Sequence, residues 1–356
     1  MNYFYIIKLA LLTTLAFVVA MVWTPLLTHF LYKYRCWKKS VRTTAPDGAG
    51  TPIFSQLHQD KEVTVPRMGG LLIWVTTLLF SFLFIIFCPV FSTCSWLQGL
   101  NFLNRAETWL PLFTLVVASF IGLVDDILVV RGFGEKGKGG GIRFRHRLLL
   151  VAILGLIGGL WFYYKLDWDT LHLPFDGTIA LGWLFIPFFI MVMLAMFSTS
   201  VTDGLDGLAG GLFIAEFVAF GAIAFSLGKY NLATFCGVIA GSLLAFLWFN
   251  IPPARFYLGE TGILGLTTTL AVVAFLTNSV LLLPVIAFVP MVESFSVIIQ
   301  LLSKKFRHQK VFLSTPIHHH FQAKGWPEYK VVMRFWLIGA VTAVVGVSLF
   351  LLDKTF

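Results

Sequence analysis

Four groups of polar residues interrupt a very apolar chain, and each could do chemistry. They are Asp125–Asp126 in I-G-L-V-D-D-I, Asp203 and Asp206 in T-D-G-L-D-G, Glu260 in L-G-E-T-G, and His318, His319 and His320 in P-I-H-H-H-F. Two adjacent carboxylates at the edge of hydrocarbon repel each other and lose hydration, so a cation or a bound proton must relieve them. In D-G-L-D-G, Gly204 and Gly207 permit a tight backbone and close approach of a ligand. Either aspartate can cap the following helix, whose free N–H groups suit a phosphate. Each group alone has a plainer reading: a solvated helix end, a capped polar turn, a second Gly-flanked acid, a decorated loop. The histidine run is internal, which separates it from an expression tag. Three acidic clusters and a histidine run at one depth together suggest a hard divalent cation handling phosphate. Mg2+ is the expected ion, because it binds through few carboxylates and lets substrate phosphates complete its shell.

That common depth depends on the elements that carry the groups. Of the 356 residues, 58% are hydrophobic and 12% charged, with 37 Phe and 11 Trp. A soluble domain carries about 25% charged residues. The composition therefore predicts an all-α, polytopic membrane protein forming a single domain over 1–356. Runs of about 20 apolar residues predict ten spans, near 4–31, 69–92, 109–130, 148–165, 179–199, 207–227, 231–250, 261–277, 279–302 and 331–353. The first run is too long for a signal peptide and lacks a cleavage pattern. Cys36, Cys88, Cys94 and Cys236 show no metal spacing and read as incidental.

With ten spans, only Lys8, Arg105, Lys165, Lys229 and Lys354 fall on one side, and the rest of the 26 basic residues fall on the other. The positive-inside rule puts the basic side in the cytoplasm and both termini outside the cytoplasm. The loops near 33–68, 131–147, 200–206, 251–260 and 303–330 are then cytoplasmic, and every acidic cluster and the histidines lie with them. Topology accounts for most of the net charge of +9 without nucleic acid, and basic loops favour anionic lipid and anionic substrates. The Gly-rich stretch 134–141 reads as a flexible cytoplasmic segment.

The motifs resemble those of the polyprenyl-phosphate N-acetylhexosamine-1-phosphate transferases, and most closely the phospho-N-acetylmuramoyl-pentapeptide-transferase branch. The resemblance rests on V-P-R-M-G-G-L-L-I (65–73), L-V-D-D (123–126), T-D-G-L-D-G-L-A (202–209), F-N-I-P-P-A-R-F-Y-L-G-E-T-G (249–262), V-E-S-F-S-V-I-I-Q (292–300), and P-I-H-H-H-F with G-W-P-E (316–328). These run in the family's order over most of the chain. The D-D and D-G-L-D-G motifs belong to the whole group, and P-I-H-H-H-F is specific to the muramoyl-pentapeptide branch.

The resemblance implies ten transmembrane helices, a homodimer in the bacterial inner membrane, Mg2+ and a cytoplasmic site. The implied reaction transfers phospho-MurNAc-pentapeptide from UDP-MurNAc-pentapeptide to undecaprenyl phosphate, giving lipid I and UMP for peptidoglycan synthesis. It implies that Asp125 is the base for the lipid phosphate, with Asp126 beside it; an older scheme instead has a nucleophile on another Asp. Glu260 stands where the family's metal-binding Asp stands. Asp203, Asp206 and Asn250 would line the uridine-diphosphate site. Tyr257 could stack on uracil, and Lys61 is a partner for diphosphate. His318 would donate to phosphate from a stem held by Pro316, with His319 and His320 touching phosphate or sugar-peptide. If the segment is extended, His320 shares the side of His318 and His319 points away; a helix removes that alternation.

Several positions depart from the family. Ser200 replaces Asn, Val129 replaces a Lys after D-D, Arg147 replaces a second Lys, Ile263 replaces a hydroxyl residue, and V-P-R replaces T-P-T. A sibling enzyme using UDP-GlcNAc is one alternative, disfavoured by P-I-H-H-H-F. An ion-coupled transporter is another, but carriers place their sites near the midplane, where only Glu216 and Glu293 fall, neither with an obvious basic partner.

Overall fold

An apolar chain in a bilayer must satisfy its own backbone hydrogen bonds, and here it does so almost entirely as helix. A computed structural model describes residues 3–39, 63–90, 99–104, 107–133 and 140–355, with backbone only over 84–90. The helices are α1 (Tyr3–Lys33), α2 (Leu71–Val90), α3 (Trp109–Arg131), α4 (Phe144–Lys165), α5 (Phe185–Ser198), α6 (Leu208–Ser226), α7 (Tyr230–Asn250), α8 (Gly259–Leu276), α9 (Leu283–Ile286), α10 (Phe288–Arg307), α11 (Ile317–Ala323) and α12 (Glu328–Asp353). One antiparallel hairpin, β1 (Thr170–Leu173) and β2 (Gly177–Ala180), joins α4 to α5, with Thr170 opposite Ala180.

Among the described residues, eight helices are long and apolar enough to cross a membrane, and the α9–α10 region makes a ninth if counted as one span. With α2 added, these are the ten regions read from the sequence. In α2 the qualifying apolar stretch is the shorter Leu71–Leu83. The stretch 279–302, expected as a span, bends by 83° between Val280–Ile286 and Phe288–Arg307. Ala287 leaves helical geometry at φ −96°, ψ 38°, with Pro284 and Pro290 on either side, and proline removes the hydrogen bonds that would keep the helix straight.

Helix α8 is the central pillar: 94% of its apolar window is buried, against 22% for α1 and 28% for α12. Small residues let its neighbours approach closely. A Cβ on Gly122 of α3 would sit 2.1 Å from the Glu260 carbonyl oxygen, and one on Gly70 would sit 2.2 Å from the Gly262 nitrogen. The Thr261 hydroxyl donates to the Ser119 carbonyl at 3.1 Å, which fixes the register of α3 against α8. Threonines inside the helices return their hydroxyl protons to carbonyls four residues back, as Thr76 does to Leu72 at 2.6 Å.

The two ends of the bundle differ. At one end Phe189 stacks on Phe275 at 4.4 Å, Lys8 donates to the Asn101 carbonyl and to Asn231, and His172 of β1 pairs with Asp353 of α12 at 2.5 Å. Both ends of the described chain therefore lie with the hairpin. The opposite end gathers the C-terminal part of α3, the start of α4, the turn before α6, the end of α7, the start of α8, and α11.

Candidate active site

The N-terminal turn of α8 organises the acids. Four backbone N–H groups at a helix start lack helical partners and favour negative charge. Asp126 reaches from α3 to accept the Thr261 N–H through Oδ2 at 3.0 Å. Its Oδ1 accepts from Arg67 Nε at 2.9 Å. Gly259, at φ +71°, admits this approach, since a Cβ there would fall 2.4 Å from Asp126 Oδ2. Asp126 is fully buried, and both of its oxygens are engaged. It ties α3, α8 and the segment before α2 together.

Asp125 faces the other way. Its Oδ1 accepts the Ile142 backbone N–H, and Gly141, at φ +83°, leaves room for that contact. Its Oδ2 lies 3.7 Å from Arg147 Nη1. The same Nη1 donates to Glu260 Oε1, so one guanidinium from α4 bridges the carboxylates of α3 and α8. Among the described residues, Glu260 Oε2 is buried without a hydrogen-bond partner.

Asp203, half-buried in the turn before α6, completes the cluster. Burial pushes its carboxyl up to about 7; Glu260 and Asp126 add to this, while Arg67 and the Gly259 N–H pull against it. Burial works against the charge of Arg67, but Asp126, Glu260 and Asp203 hold its pKa above the usual value. Four carboxylates therefore share two guanidiniums, and when all are ionised the negative charge is in excess.

The remaining predicted residues frame this cluster. Asp206 is buried; its Oδ2 accepts the Ala254 N–H at 3.2 Å, and its own N–H donates to Glu328 at 3.0 Å. Asn250 accepts from the Gly207 N–H at 3.0 Å and donates to the Phe256 carbonyl at 2.9 Å. Both groups of the Asn250 amide therefore brace the loops. Tyr257 is half-buried, and its backbone pairs with Pro66 and Gly69, which carries Arg67 to Asp126. Lys61 lies outside the described residues.

The histidines belong to a helix, so the alternation expected of an extended segment does not occur. His318 and His319 are both buried, and His320 is half-buried. His318 has no exposed surface. Its Nδ1 meets Glu293 Oε2 at 2.6 Å, and its Nε2 abuts Gly204 of D-G-L-D-G. His319 Nδ1 pairs with Gln322 at 2.8 Å. His320 Nδ1 accepts the Leu313 N–H at 3.1 Å, and burial, then Lys324, lower its pKa.

The fold thus brings Asp125, Asp126, Asp203 and Glu260 into one cluster and sets His318 against its D-G-L-D-G edge. Three participants were not among the predicted site residues: Arg67, Arg147 and Glu293. Arg67 lies inside V-P-R-M-G-G and Arg147 replaces a family lysine, so departure from the family pattern was the available signal. Glu293 lies inside V-E-S-F-S-V-I-I-Q, one of the segments that carry the resemblance, and within an apolar run. Among the described residues no three His, Cys, Asp or Glu side chains form a ready-made metal-ligand group. Glu260, with its unpartnered Oε2, is the residue suited to hold a cation that takes its other ligands from a substrate.

Residues 108–278 match the model of the glycosyl transferase family 4. The chain is 35% identical over 336 residues to the phospho-N-acetylmuramoyl-pentapeptide-transferase of Listeria innocua serovar 6a, covering 93% of this chain and 95% of that protein. It is 34% identical over 336 residues to the protein of the same name from Listeria monocytogenes serovar 1/2a, with the same shares covered. The corresponding protein of Geobacillus thermodenitrificans is 31% identical over 335 residues, covering 93% of this chain and 94% of that protein. The acid cluster at the start of α8 and near-full-length similarity lead to one assignment: the chain belongs to the phospho-N-acetylmuramoyl-pentapeptide-transferase family.

Proposed function

We propose that the protein transfers phospho-MurNAc-pentapeptide from UDP-MurNAc-pentapeptide to undecaprenyl phosphate, releasing UMP and forming lipid I. The observation that carries this reading is the meeting of Asp125, Asp203 and Glu260 beside the D-G-L-D-G turn, at one end of a membrane bundle. Asp125 takes the proton of the lipid phosphate. A lipid phosphate oxygen then forms a bond to the phosphorus next to the sugar. The bond from that phosphorus to the bridging oxygen breaks, and its electron pair leaves with UMP. Proton removal by a placed carboxylate contributes about 10²–10⁴ in rate.

Arg147 and Arg67 keep the acids paired until substrate arrives, and Arg67 with Asp126 holds the start of α8 in place. The turn carrying Asp203, Gly204 and Asp206 receives the uridine diphosphate, with Asn250 bracing it and Tyr257 at its edge. His318 abuts Gly204 at the edge of the diphosphate turn, with His319 and His320 beside it on the same short helix. Glu260 would hold Mg2+ together with the substrate phosphates, and that ion supplies neutralisation of the diphosphate and leaving-group charge. The excess of carboxylates over guanidiniums and the unpartnered Oε2 of Glu260 support this fit.

The basic loops support a cytoplasmic position for the acid-rich end, with both termini outside the cytoplasm of a bacterial inner membrane. The resemblance supports a homodimer. The test is UMP release by the purified protein with undecaprenyl phosphate and either UDP-MurNAc-pentapeptide or UDP-GlcNAc, with and without Mg2+. Release with the muramoyl substrate alone, dependent on Mg2+, is expected. Preference for UDP-GlcNAc would move the protein to the sibling activity.

A further inference from the structure

We propose that Glu293 is a positioning residue for the transfer reaction: from α10 it holds His318 so that Nε2 presents a proton at the Gly204 edge of the D-G-L-D-G turn. This rests on the reading of D-G-L-D-G as the diphosphate site and deepens it. Glu293 and His318 side chains have 0% exposure each, and Glu293 Oε2 lies 2.6 Å from His318 Nδ1. The opposite ring nitrogen points at Gly204, where a Cβ would fall 2.3 Å from Nε2. Two features of the fold hold the pair. Ser296 donates to the Glu293 carbonyl at 2.6 Å. Ser294 meets Ser198 at 2.7 Å, which pins α10 to the end of α5.

Proton counting decides what Nε2 offers. A buried pair carrying net charge is costly, so the neutral pair is favoured. It has two forms, carboxylate with imidazolium or carboxylic acid with neutral imidazole. In both, one proton lies between Oε2 and Nδ1 and the other sits on Nε2. The pair therefore presents a donor at Nε2 whichever form prevails, and a donor suits a phosphate oxygen gaining charge during transfer. An unpaired imidazole could instead carry its single proton on Nδ1 and present a lone pair to the same oxygen.

The experiment compares Glu293→Leu, Glu293→Gln, His318→Ala and the double variant Glu293→Leu/His318→Ala in the full-length purified protein. Thermal unfolding and binding of a uridine nucleotide serve as fold controls. Loss of one such donor costs about 10²–10³-fold in kcat. Glu293→Leu is expected to lose about 10²-fold in kcat with little change in KM. The double variant is expected to be no worse than His318→Ala, because Glu293 acts through His318. Glu293→Gln, whose amide can donate to Nδ1 and leave the proton on Nε2, is expected to restore most of the rate. Nitrogen-15 spectra of histidine-labelled protein, with the His318→Ala spectrum subtracted, should show a protonated Nε2 in the wild type and in Glu293→Gln.

Independent, multiplying losses in the double variant, or a bare Nε2 in the wild type, would overturn the proposal. An active Glu293→Leu beside an inactive His318→Ala removes Glu293 alone. A fully active His318→Ala removes the role of His318 in the proposed function, and this inference with it. If Glu293→Leu does not fold, the Glu293→Gln rate and the wild-type spectrum decide.

Discussion

Arg147 of α4 lies on the carboxylate of Glu260 at the start of α8, and the same guanidinium nitrogen is 3.7 Å from Asp125 Oδ2. The arginine thus occupies the position from which a cation would neutralise both acids. A metal ion held by Glu260, as proposed above, would compete with the arginine for the same negative charge.

Removing either partner tests that competition. Glu260→Gln should lower UMP release by about 10²-fold or more while leaving the fold intact, and Glu260→Asp should retain activity with a changed Mg2+ requirement. Arg147→Ala should lower the metal concentration needed for half-maximal binding, read by titration with Mn2+ and paramagnetic resonance. Unchanged metal affinity in Arg147→Ala would separate the arginine from the cation site.

Asp125 and Asp126 are neighbours with different partners, and their variants should fail differently. Asp125→Asn should slow transfer by about 10²–10⁴-fold, with uridine-nucleotide binding nearly unchanged. Asp126→Ala leaves Arg67 without its ion pair and the Thr261 N–H without its acceptor. Breaking a buried pair costs about 3–5 kcal/mol, and Arg67 keeps 19% of its side chain exposed, so about 3 kcal/mol is expected. Thermal unfolding measures it, and an Asp126→Ala protein as stable as the wild type would contradict the bracing role.

Gly204 has no positive φ to defend, so its requirement is for space alone. Gly204→Ala places a methyl group on His318 Nε2 and should abolish most activity. In a His318→Ala background the clash is gone, and Gly204→Ala should add little further loss. Equal losses in both backgrounds would mean that the glycine serves something other than the histidine.

The carboxyl of Asp203 is raised from 3.8 to about 7, chiefly by burial. A folded-state value above the unfolded one means that the folded protein binds this proton more tightly. The contribution to stability is therefore greatest at low pH and declines as pH rises from about 4 to about 7. Asp203→Asn removes the decline. In Mg2+-free buffer the variant should gain melting temperature relative to the wild type between about pH 5 and about pH 8. A difference independent of pH would contradict the raised value.

Local composition and pattern carried much of this protein. Apolar runs marked the positions of its helices because a bilayer demands internally satisfied backbone, a constraint readable over any 20 or so residues. Alternation of those helices put Asp125, Asp126, Asp203, Glu260 and the histidines at one end before any contact was known. The motifs identified the chemistry for the same reason: D-D, D-G-L-D-G and G-E-T-G are short and contiguous.

Tertiary structure alone decided which acid meets which base. Arg67 and Asp126 are 59 residues apart, Arg147 and Glu260 are 113 apart, and His318 and Glu293 are 25 apart. Such pairings depend on helix register, set here by close packing at Gly122 and Gly70, and no periodicity in the chain encodes it. The same holds for the 83° bend after Ile286, which hydropathy cannot distinguish from a straight span because bending leaves composition unchanged. Asp126 shows the difference most clearly: its place beside Asp125 suggested shared chemistry, and only the fold shows that its oxygens also brace Arg67 and the start of α8. The partner that a carboxylate finds across the bundle, more than its sequence neighbour, determines what that carboxylate can do.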